Sequence, residues 1–413
     1  MKVSLRKIRI FILILTLIII AGGSGYWLGQ RKVKLSLEKY QPKIEIERQI
    51  PIGKEEVDFS LFWEVWDRVE ASYLDKKAID YKKMVYGAIS GMVASLGDPY
   101  TAFLPPEDNK QSKEELAGSF EGVGMQLGYK DSKVVVVAPL KGTPADEAGV
   151  KAGDVIVHLK DEKKSIDQEI DTMPLPEVVN IIRGPKGTSI TITFSREGVK
   201  EPLVITLNRE TILVASVEVS FIDNVAHLKL SRFGDRTDQE WQNAVNQIVE
   251  KEKKKELTGV VFDLRNNPGG YLQGAVYIAS EFLSNGVVVQ QEKSVNGDKE
   301  TFSVNRSGRL IDVPLVVLVN EGSASASEIV AGALSERGRT KLVGQKTFGK
   351  GTIQEAEDLS AGSGLHITIA RWLLPSGKNI DKEGIKPDFE VAMDENDQSK
   401  DPQLDKAIEI LKI

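Results

Sequence analysis

The chain has 413 residues, enough for two to three domains, with 54 basic and 60 acidic residues and a net charge of −6. Every acidic residue lies after residue 37, so the body is acidic, which argues against nucleic acid as a partner because phosphate binding needs basic patches. The absence of cysteine excludes disulfides, thiolate metal sites and cysteine nucleophiles, and three histidines leave little room for a histidine-rich metal site. We therefore expect no metal and no cofactor.

The N-terminal region contains an uncharged stretch, Ile10–Leu28, that is just long enough to span a bilayer. Four basic residues precede it, which favours a cytoplasmic N-terminus and a body outside the cytoplasm. We predict a single-pass transmembrane signal anchor over residues 1–30, followed by a charged linker over residues 31–56. Small residues between Ala21 and Gly25 make a cleaved signal peptide the alternative.

Apolar residues at helical spacing predict an N-terminal helical segment over residues 57–112, with a stop at Gly97-Asp98-Pro99. Residues 113–208 contain short β runs separated by turn residues and are predicted to form a separate β domain. Strands and helices then alternate over residues 209–395, which indicates an α/β domain, and residues 396–413 are predicted to form a C-terminal helix. The predicted strands of the two domains are Val134–Val137, Val155–Leu159, Ile190–Phe194, Leu203–Leu207, Val225–Leu230, Gly259–Leu264, Val313–Val319 and His366–Trp372.

Two glycine-rich motifs mark the β domain. Gly122, Val123, Gly124 and Met125 precede a predicted strand, and a second motif occupies residues 142–156. This order resembles a PDZ domain, in which the first motif forms a loop whose backbone N–H groups bind the C-terminal carboxylate of a peptide. The alternative is a small β domain with ordinary tight turns.

A serine-rich turn follows the apolar run Val313–Val319. Serines 323, 325 and 327 alternate with alanines directly before a predicted helix. A serine at a helix N-terminus suits nucleophilic catalysis, because the helix dipole and the free N–H groups there favour a developing negative charge. Ser325 and Glu328 also have the spacing of a capping box, so a purely structural role is the alternative.

Lys350 stands between two glycines, with Phe348 and Ile353 nearby. A lysine acts as a general base only when neutral, which requires its pKa to fall by about three units, and burial can supply such a shift. Gln354 is four residues further on and would share a face with Lys350 on a strand, where its amide oxygen could accept a hydrogen bond from the lysine. Taken alone, Gly-Lys-Gly is also typical of an exposed turn.

Together these segments resemble the C-terminal processing peptidases, or tail-specific proteases, which are exported serine proteases with a PDZ domain and a Ser–Lys dyad. The resemblance covers about residues 60–390 and depends most on residues 263–270, 322–328 and 347–354. It implies that Ser325 is the nucleophile, that Lys350 is the general base and that Gln354 orients the base.

The resemblance also implies an oxyanion hole and a contact between domains. The turn after Asp263 would lend a glycine N–H to the oxyanion hole, together with the N–H of Ala326, and the choice between Gly269 and Gly270 stays open. Arg183 matches an arginine at which the PDZ domain contacts the protease core, with a solvated turn arginine as the alternative.

The three histidines lie on predicted strands and are expected to be structural: His158, His227 and His366.

The resemblance implies an α/β (α+β) multidomain fold: a crotonase-like or Clp-protease-like core, a PDZ β domain and a helical N-terminal segment. The uncharged N-terminal stretch predicts one transmembrane helix before these domains. The predicted function is a serine endopeptidase that cleaves exported proteins near their C-termini, with the tail captured by the PDZ domain. Its partners would be protein or peptide substrates with free C-termini and a bacterial cell membrane, and a homo-oligomer or an activating adaptor stays open. One alternative is a catalytically inactive, membrane-tethered PDZ adaptor. A trypsin-like PDZ protease is disfavoured because its catalytic domain precedes the PDZ domain, whereas no histidine precedes His158 here.

Overall fold

A computed structural model describes Thr16 and residues 33–38, 41–46, 58–171, 173–293, 298–394, 397 and 400–412. The predicted membrane anchor, residues 1–30, lies outside these residues apart from Thr16. Within the described ranges, no helix is both long and apolar enough to cross a bilayer.

The chain divides into two compact units, Met1–Met84 and Val85–Ile413. In the first unit, strands β1 (Val33–Glu38) and β2 (Gln41–Ile46) pair as an antiparallel hairpin inside the predicted linker. Helix α1 (Ser60–Ser72) contains the residues predicted at helical spacing, but none of its side chains is buried.

The segment before the β domain also contributes to the C-terminal core. Helix α2 (Tyr81–Ala94) ends before Gly97, as predicted, and strand β3 (Ala102–Leu104) then pairs antiparallel with residues 364–366. Helix α3 (Pro106–Ala117) follows and ends at Gly118, whose φ of 62° is in the left-handed region that glycine tolerates. The predicted helical segment therefore supplies an edge strand to a sheet far along the chain.

The β domain has its own sheet and its own core. Its elements are β4 (Ser119–Gly122), β5 (Met125–Lys130), β6 (Lys133–Pro139), α4 (Pro144–Glu147), β7 (Val155–Asp161), β8 (Ile166–Glu169), α5 (Leu175–Ile182), β9 (Ser189–Ser195), β10 (Leu203–Asn208) and β11 (Glu210–Leu213). The strand order is β10-β9-β7-β6-β5, and β8 pairs with β7. Alternate residues of β9 are buried against Val178 of α5, as the period of a half-buried strand requires. Strands β4 and β11, at the two ends of the domain, pair with each other, so the chain enters and leaves the domain at one place.

The C-terminal core is built on a six-stranded sheet. Its elements are β12 (Val217–Ile222), β13 (Val225–Leu230), α6 (Thr237–Lys253), β14 (Gly259–Asp263), α7 (Leu272–Ala279), β17 (Leu315–Val319), α8 (Ala326–Glu336), β18 (Lys341–Gly344), β21 (Phe389–Glu390) and α9 (Pro402–Leu411). The order is β12-β13-β14-β17-β18-β21, parallel except for β12. Strands β14 and β17 are buried along their whole length, with alternate residues facing opposite layers. Val260 and Phe262 pack in the core formed with α6, α7 and α8, whereas Val261 packs with α9.

A second sheet of the core carries further residues of interest. It consists of β15 (Val287–Lys293), β16 (Asp298–Ser303), β19 (Thr352–Asp358) and β20 (Gly364–Leu373), in the order β16-β15-β20-β19 with β3 on β20. In the first sheet, β14 and β17 are parallel neighbours, so the turns that follow them meet at one edge. The hydroxyl of Ser323 in one turn donates to the carbonyl of Leu264 in the other at 2.8 Å. This edge of the sheet is where the predicted site residues converge.

Candidate active site

Ser325 occupies the last position of the turn before helix α8 and has an unusual backbone conformation. Its φ of 54° and ψ of −114° lie outside the regions that non-glycine residues favour. Strain of this kind persists only where the surrounding structure holds it, and it is concentrated at functional sites. The Ser325 side chain is half-buried, so it is reachable from solvent at the N-terminus of a buried helix.

The two neighbouring serines are fully buried and hydrogen-bonded. Ser323 donates to Leu264 and accepts from the N–H of Asn320 at 3.0 Å. Ser327 donates to the carbonyl of Asn267 at 2.9 Å. Of the three serines, only Ser325 combines access with an N-terminal helix position.

Lys350 lies in the loop between β18 and β19, and its side chain is half-buried. Burial lowers the pKa of Lys350, while the charges of Asp98 and Glu328 oppose that shift. The ammonium nitrogen lies 4.9 Å from the centre of the Tyr100 ring. In the described part of the chain it makes no hydrogen bond to Ser325 or Gln354.

Gln354 lies on β19, but not in the register that simple strand alternation predicts. Lys350 precedes the strand, and the pairing with β20 shifts between Ile353 and Gln354. The even spacing from Lys350 therefore does not place the two side chains on one strand face. The amide nitrogen of Gln354 donates to the hydroxyls of Thr352 at 2.9 Å and Thr368 at 3.0 Å. Within the described residues the amide oxygen has no donor, so it is available to accept a hydrogen bond.

The glycines after β14 differ in what their N–H groups do. The N–H of Gly269 donates to Oδ1 of Asn267 at 2.9 Å, in a buried hydrogen bond. Among the described residues, the N–H groups of Gly270 and Ala326 have no protein acceptor. A Cβ on Gly269 would lie 2.9 Å from the Cβ of Ser325, so this turn packs directly against the serine. Gly270 and Ala326 are thus the donors available to an oxyanion.

A cavity of about 800 Å³ brings these groups together. It is lined by all six residues predicted for catalysis and the oxyanion hole: Ser325, Lys350, Gln354, Gly269, Gly270 and Ala326. Leu272, Ile329, Ile353 and Trp372 give it an apolar wall, and α3 contributes Ser112, Glu115 and Leu116. One cavity therefore contains a serine hydroxyl, a half-buried lysine amine and two backbone N–H groups without an acceptor among the described residues.

The sequence indicates only a helix-capping role for Glu328. In the structure its buried carboxylate accepts four hydrogen bonds. Oε2 accepts from the N–H groups of Ser325 and Lys350, each at 2.9 Å. Oε1 accepts from the Thr347 hydroxyl at 2.6 Å and from the N–H of Gly349 at 2.7 Å. Burial raises the pKa of Glu328, and these hydrogen bonds oppose the shift. The Ser-x-x-Glu spacing was the signal for this residue, but it gave no hint of the bonds to the lysine loop.

Residues Gly122–Met125 border a separate groove of about 360 Å³ between β5 and α5. Leu127, Val179 and Ile182 also line this groove. In the residues that the structure describes, the N–H groups of Val123 and Gly124 donate to no backbone or side-chain acceptor. Two free donors at the end of an apolar groove can bind a carboxylate whose neighbouring side chain is apolar.

Arg183 follows α5 and is not a free surface arginine. Its guanidinium lies 3.2 Å from the carboxylate of Glu114 on α3 and 4.6 Å above the Phe120 ring. The arginine therefore contacts the helix that also lines the large cavity.

The histidines differ from one another in their surroundings. His158 and His227 pair with Asp167 and Asp263, each at 3.0 Å. His366 instead lines the large cavity, where burial and the charge of Lys350 lower its pKa. No cluster of three or more potential ligands able to hold a metal ion occurs in the described ranges.

Comparison with known proteins identifies the family. The model of peptidase family S41 matches residues 224–391, a PDZ domain model matches residues 135–196, and the model of the activating protease CtpB N-terminal domain matches residues 18–108. Carboxy-terminal processing protease CtpA of Bacillus subtilis (strain 168) is 36% identical over 341 residues, covering 82% of this chain and 70% of that protein. The chain belongs to the carboxy-terminal processing proteases.

A second relative supports the assignment of this carboxy-terminal processing protease to its family. The carboxy-terminal-processing protease of Bartonella bacilliformis is 36% identical over 330 residues, 80% of this chain and 74% of the relative. A solved S41 protease structure from Bacteroides fragilis covers 84% of this chain and 96% of its own, with a TM-score of 0.52 at 18% identity, which supports the same fold. The resemblance read from the sequence is thereby confirmed, as is a mixed α/β multidomain fold with a PDZ domain and an S41 core.

Proposed function

We propose that this carboxy-terminal processing protease is a serine endopeptidase that cleaves proteins near their C-termini with a dyad of Ser325 and Lys350. One observation carries the proposal. A strained, half-buried serine at a helix N-terminus shares a cavity with a half-buried lysine of lowered pKa and with two backbone N–H groups that have no acceptor among the described residues. This combination suits acyl transfer, which needs a nucleophile, a neutral base and an oxyanion site.

In the proposed mechanism, Oγ of Ser325 attacks the scissile carbonyl while the neutral amine of Lys350 takes its proton. The N–H groups of Gly270 and Ala326 stabilise the oxyanion of the tetrahedral intermediate. The resulting ammonium protonates the leaving amine, which gives the acyl-enzyme. A water molecule then attacks the ester carbonyl with Lys350 again as the base, so that the serine is regenerated and a new carboxylate is released. Gln354, with its amide oxygen free, holds the amine during these transfers.

The PDZ domain would supply substrate selection. A substrate tail adds as a strand along β5, its terminal carboxylate accepts from the free N–H groups of Val123 and Gly124, and its last side chain enters the apolar groove. Arg183 couples the domains in this proposal, because it joins the end of the groove helix to Glu114 on α3. We expect Arg183→Ala to lower turnover more than tail affinity.

The apolar stretch Ile10–Leu28 supports a further part of the proposal, a single-pass anchor that places the catalytic domain outside the cytoplasm. Resistance of the full-length protein to alkaline extraction from membranes, and its digestion by protease added outside intact cells, would be expected. Extraction in the soluble fraction would contradict the anchor without affecting the proposed chemistry.

The decisive experiment uses the full-length protein and an unfolded protein substrate with a free C-terminus. Mass spectrometry of the products should show cuts concentrated near the C-terminus, and Ser325→Ala should remove them while tail peptides still bind. Binding of tail peptides without any Ser325-dependent cleavage would instead identify an inactive PDZ adaptor.

A further inference from the structure

The ammonium group of Lys350 lies beside the turn that follows helix α2. Its nitrogen lies 4.9 Å from the centre of the Tyr100 ring, a distance typical of a cation–π contact. Asp98, two residues earlier in the same turn, acts on the lysine through its charge. This turn comes from the segment before the PDZ domain, so the lysine is held by a part of the chain remote from the serine turn.

Asp98 is firmly held and ionised. Its carboxylate accepts from the Thr101 hydroxyl at 2.6 Å and from the N–H of Tyr100 at 3.0 Å. Burial raises the pKa of Asp98, but hydrogen bonds from Thr101, Thr368 and Tyr100 and the charge of Lys350 outweigh it and lower the pKa. A fixed carboxylate of this kind provides a constant negative charge beside the lysine.

The same aspartate is connected to Gln354. The Thr368 hydroxyl accepts from the Gln354 amide nitrogen at 3.0 Å. The N–H of Thr368 donates at 3.0 Å to the Thr101 hydroxyl, which in turn donates to Asp98 at 2.6 Å. The amide nitrogen is directed towards the hydroxyls of Thr352 and Thr368, to which it donates. The amide oxygen is consequently the end left for the lysine.

We propose that Asp98 is a positioning residue of the catalytic site: it holds the protonated Lys350 beside Tyr100 and, through Thr368, orients the amide of Gln354. The inference rests on the proposed function, in which Lys350 alternates between amine and ammonium. While the ammonium exists, during formation of the acyl-enzyme, Asp98 supplies its counter-charge. When Lys350 is neutral this attraction is lost, and the amine is released to approach Ser325.

Three other titratable groups lie near Lys350 or Tyr100 and also affect the titration of the lysine. Glu328 on α8 raises the lysine pKa together with Asp98, and His366 on β20 interacts with the lysine charge. Asp381 accepts from the N–H of Gly351 at 3.2 Å and acts on Tyr100. Removing Asp98 changes the environment of Lys350 while leaving these three groups in place.

The test measures the pKa of Lys350 directly in the full-length protein, by competitive acetylation with acetic anhydride across pH and mass spectrometry of the lysine peptide. Asp98→Asn should lower this pKa by about one unit, because it removes a charge that favours the ammonium. The acidic limb of kcat/KM should move to lower pH by a similar amount, and the maximal kcat should fall about tenfold. Asp388→Asn is the matched control, since Asp388 accepts from Lys341 at 2.8 Å and from Leu342 at 2.9 Å away from the cavity. An unchanged or raised Lys350 pKa in folded Asp98→Asn would overturn the proposal.

Three further variants, at Tyr100 and Thr368, keep the proposal open to refutation if Asp98→Asn does not fold. Tyr100→Leu should lower the Lys350 pKa because it removes the ring face, whereas Tyr100→Phe should preserve it, and equal values in both would refute the ring contact. Thr368→Val should lower kcat several-fold without moving KM, and an unchanged kcat would refute the link to Gln354. The lysine titration needs no substrate, so it separates this proposal from the proposed function, which fails if the wild-type protein shows no Ser325-dependent cleavage.

Discussion

The backbone N–H groups of Ser325 and Lys350 donate to the same oxygen of the Glu328 carboxylate, each at 2.9 Å. The other oxygen of that carboxylate accepts from Thr347 and Gly349, so one buried side chain joins the serine turn to the lysine loop. Because both backbones are fixed to one group, the relative position of the two proposed catalytic residues depends on Glu328.

Glu328→Gln should therefore impair both stability and catalysis. An amide keeps one acceptor oxygen, but its NH₂ group cannot accept, so at least one buried donor loses its partner at a cost of about 1–3 kcal/mol. We expect the free energy of unfolding to fall by about this amount and kcat to fall at least tenfold. Glu336→Gln is the control, because Glu336 lies on the same helix but accepts from the exposed Ser376. Denaturant unfolding and peptide hydrolysis measure the two effects, and wild-type kcat in Glu328→Gln would contradict the structural role.

The three serines of the turn should respond differently to alanine substitution. Ser325→Ala should reduce proteolysis by at least about 10³-fold with little change in stability, since only this hydroxyl can form the acyl-enzyme. Ser323→Ala and Ser327→Ala should instead lower the free energy of unfolding by about 1–2 kcal/mol, because each hydroxyl makes a buried hydrogen bond. Near-wild-type hydrolysis by Ser325→Ala would move the nucleophile to another residue.

Lys350 should give the enzyme its dependence on pH. Burial lowers the pKa of this lysine, and only the neutral amine accepts a proton, so activity should rise as the pH increases through that lowered pKa. Lys350→Arg should be nearly as inactive as Lys350→Ala, because a guanidinium does not deprotonate near neutrality. Alanine at His158, His227 or His366 should preserve catalysis, and a folded histidine variant without activity would refute the dyad. The measurements are kcat/KM across pH for the wild type and initial rates for each variant.

A covalent adduct should reveal which glycine donates to the oxyanion. Because Gly269 already donates to Asn267, the adduct oxygen should lie about 2.7–3.1 Å from the nitrogens of Gly270 and Ala326. The crystal structure of a peptide boronate bound to Ser325 would show this geometry. A short contact to Gly269, with its bond to Asn267 broken, would contradict the assignment.

Sequence patterns were sufficient to predict those elements of the protein whose structure is determined by residues close together in the chain. The predicted strand Val225–Leu230 has the predicted bounds, and Val313–Val319 differs only at its start, because continuous apolar runs specify buried strands. The motif around Ser325 and Lys350 places both residues at one cavity, although their catalytic roles remain predictions.

Other features depend on contacts between distant segments, which no local pattern encodes. Tyr100 meets Lys350 only because β3 adds to β20, and three consecutive residues gave no strand signal. The difference between Gly269 and Gly270 arises from one side-chain bond to Asn267. The prediction that Lys350 and Gln354 share a strand face was wrong, because Lys350 precedes β19 and the pairing shifts between Ile353 and Gln354. Side chains alternate between faces only along an uninterrupted strand.

The last prediction concerns the substrate tail. If the free N–H groups of Val123 and Gly124 bind a terminal carboxylate, amidation of the substrate C-terminus should slow cleavage about tenfold or more, because charge-assisted hydrogen bonds are stronger than those to a neutral amide. A side chain at Gly124 is unsuitable for this test, since a Cβ there would lie 2.3 Å from Thr143 and disturb the fold. Val179→Asp instead places a charge in the apolar groove, and Asn180→Asp adds the same charge on the exposed side of the helix.

The comparison uses one peptide-tagged substrate in free-acid and amide forms, assayed with the wild type and both aspartate variants. The wild type and Asn180→Asp should prefer the free acid by about tenfold or more, whereas Val179→Asp should cleave both forms at similar, reduced rates. The preference for the free acid should appear for folded and unfolded substrates alike, because the carboxylate binds to the PDZ domain before the scissile bond reaches Ser325. Equal rates for acid and amide in the wild type would show that the loop glycines serve the fold of the PDZ domain and not recognition of the tail.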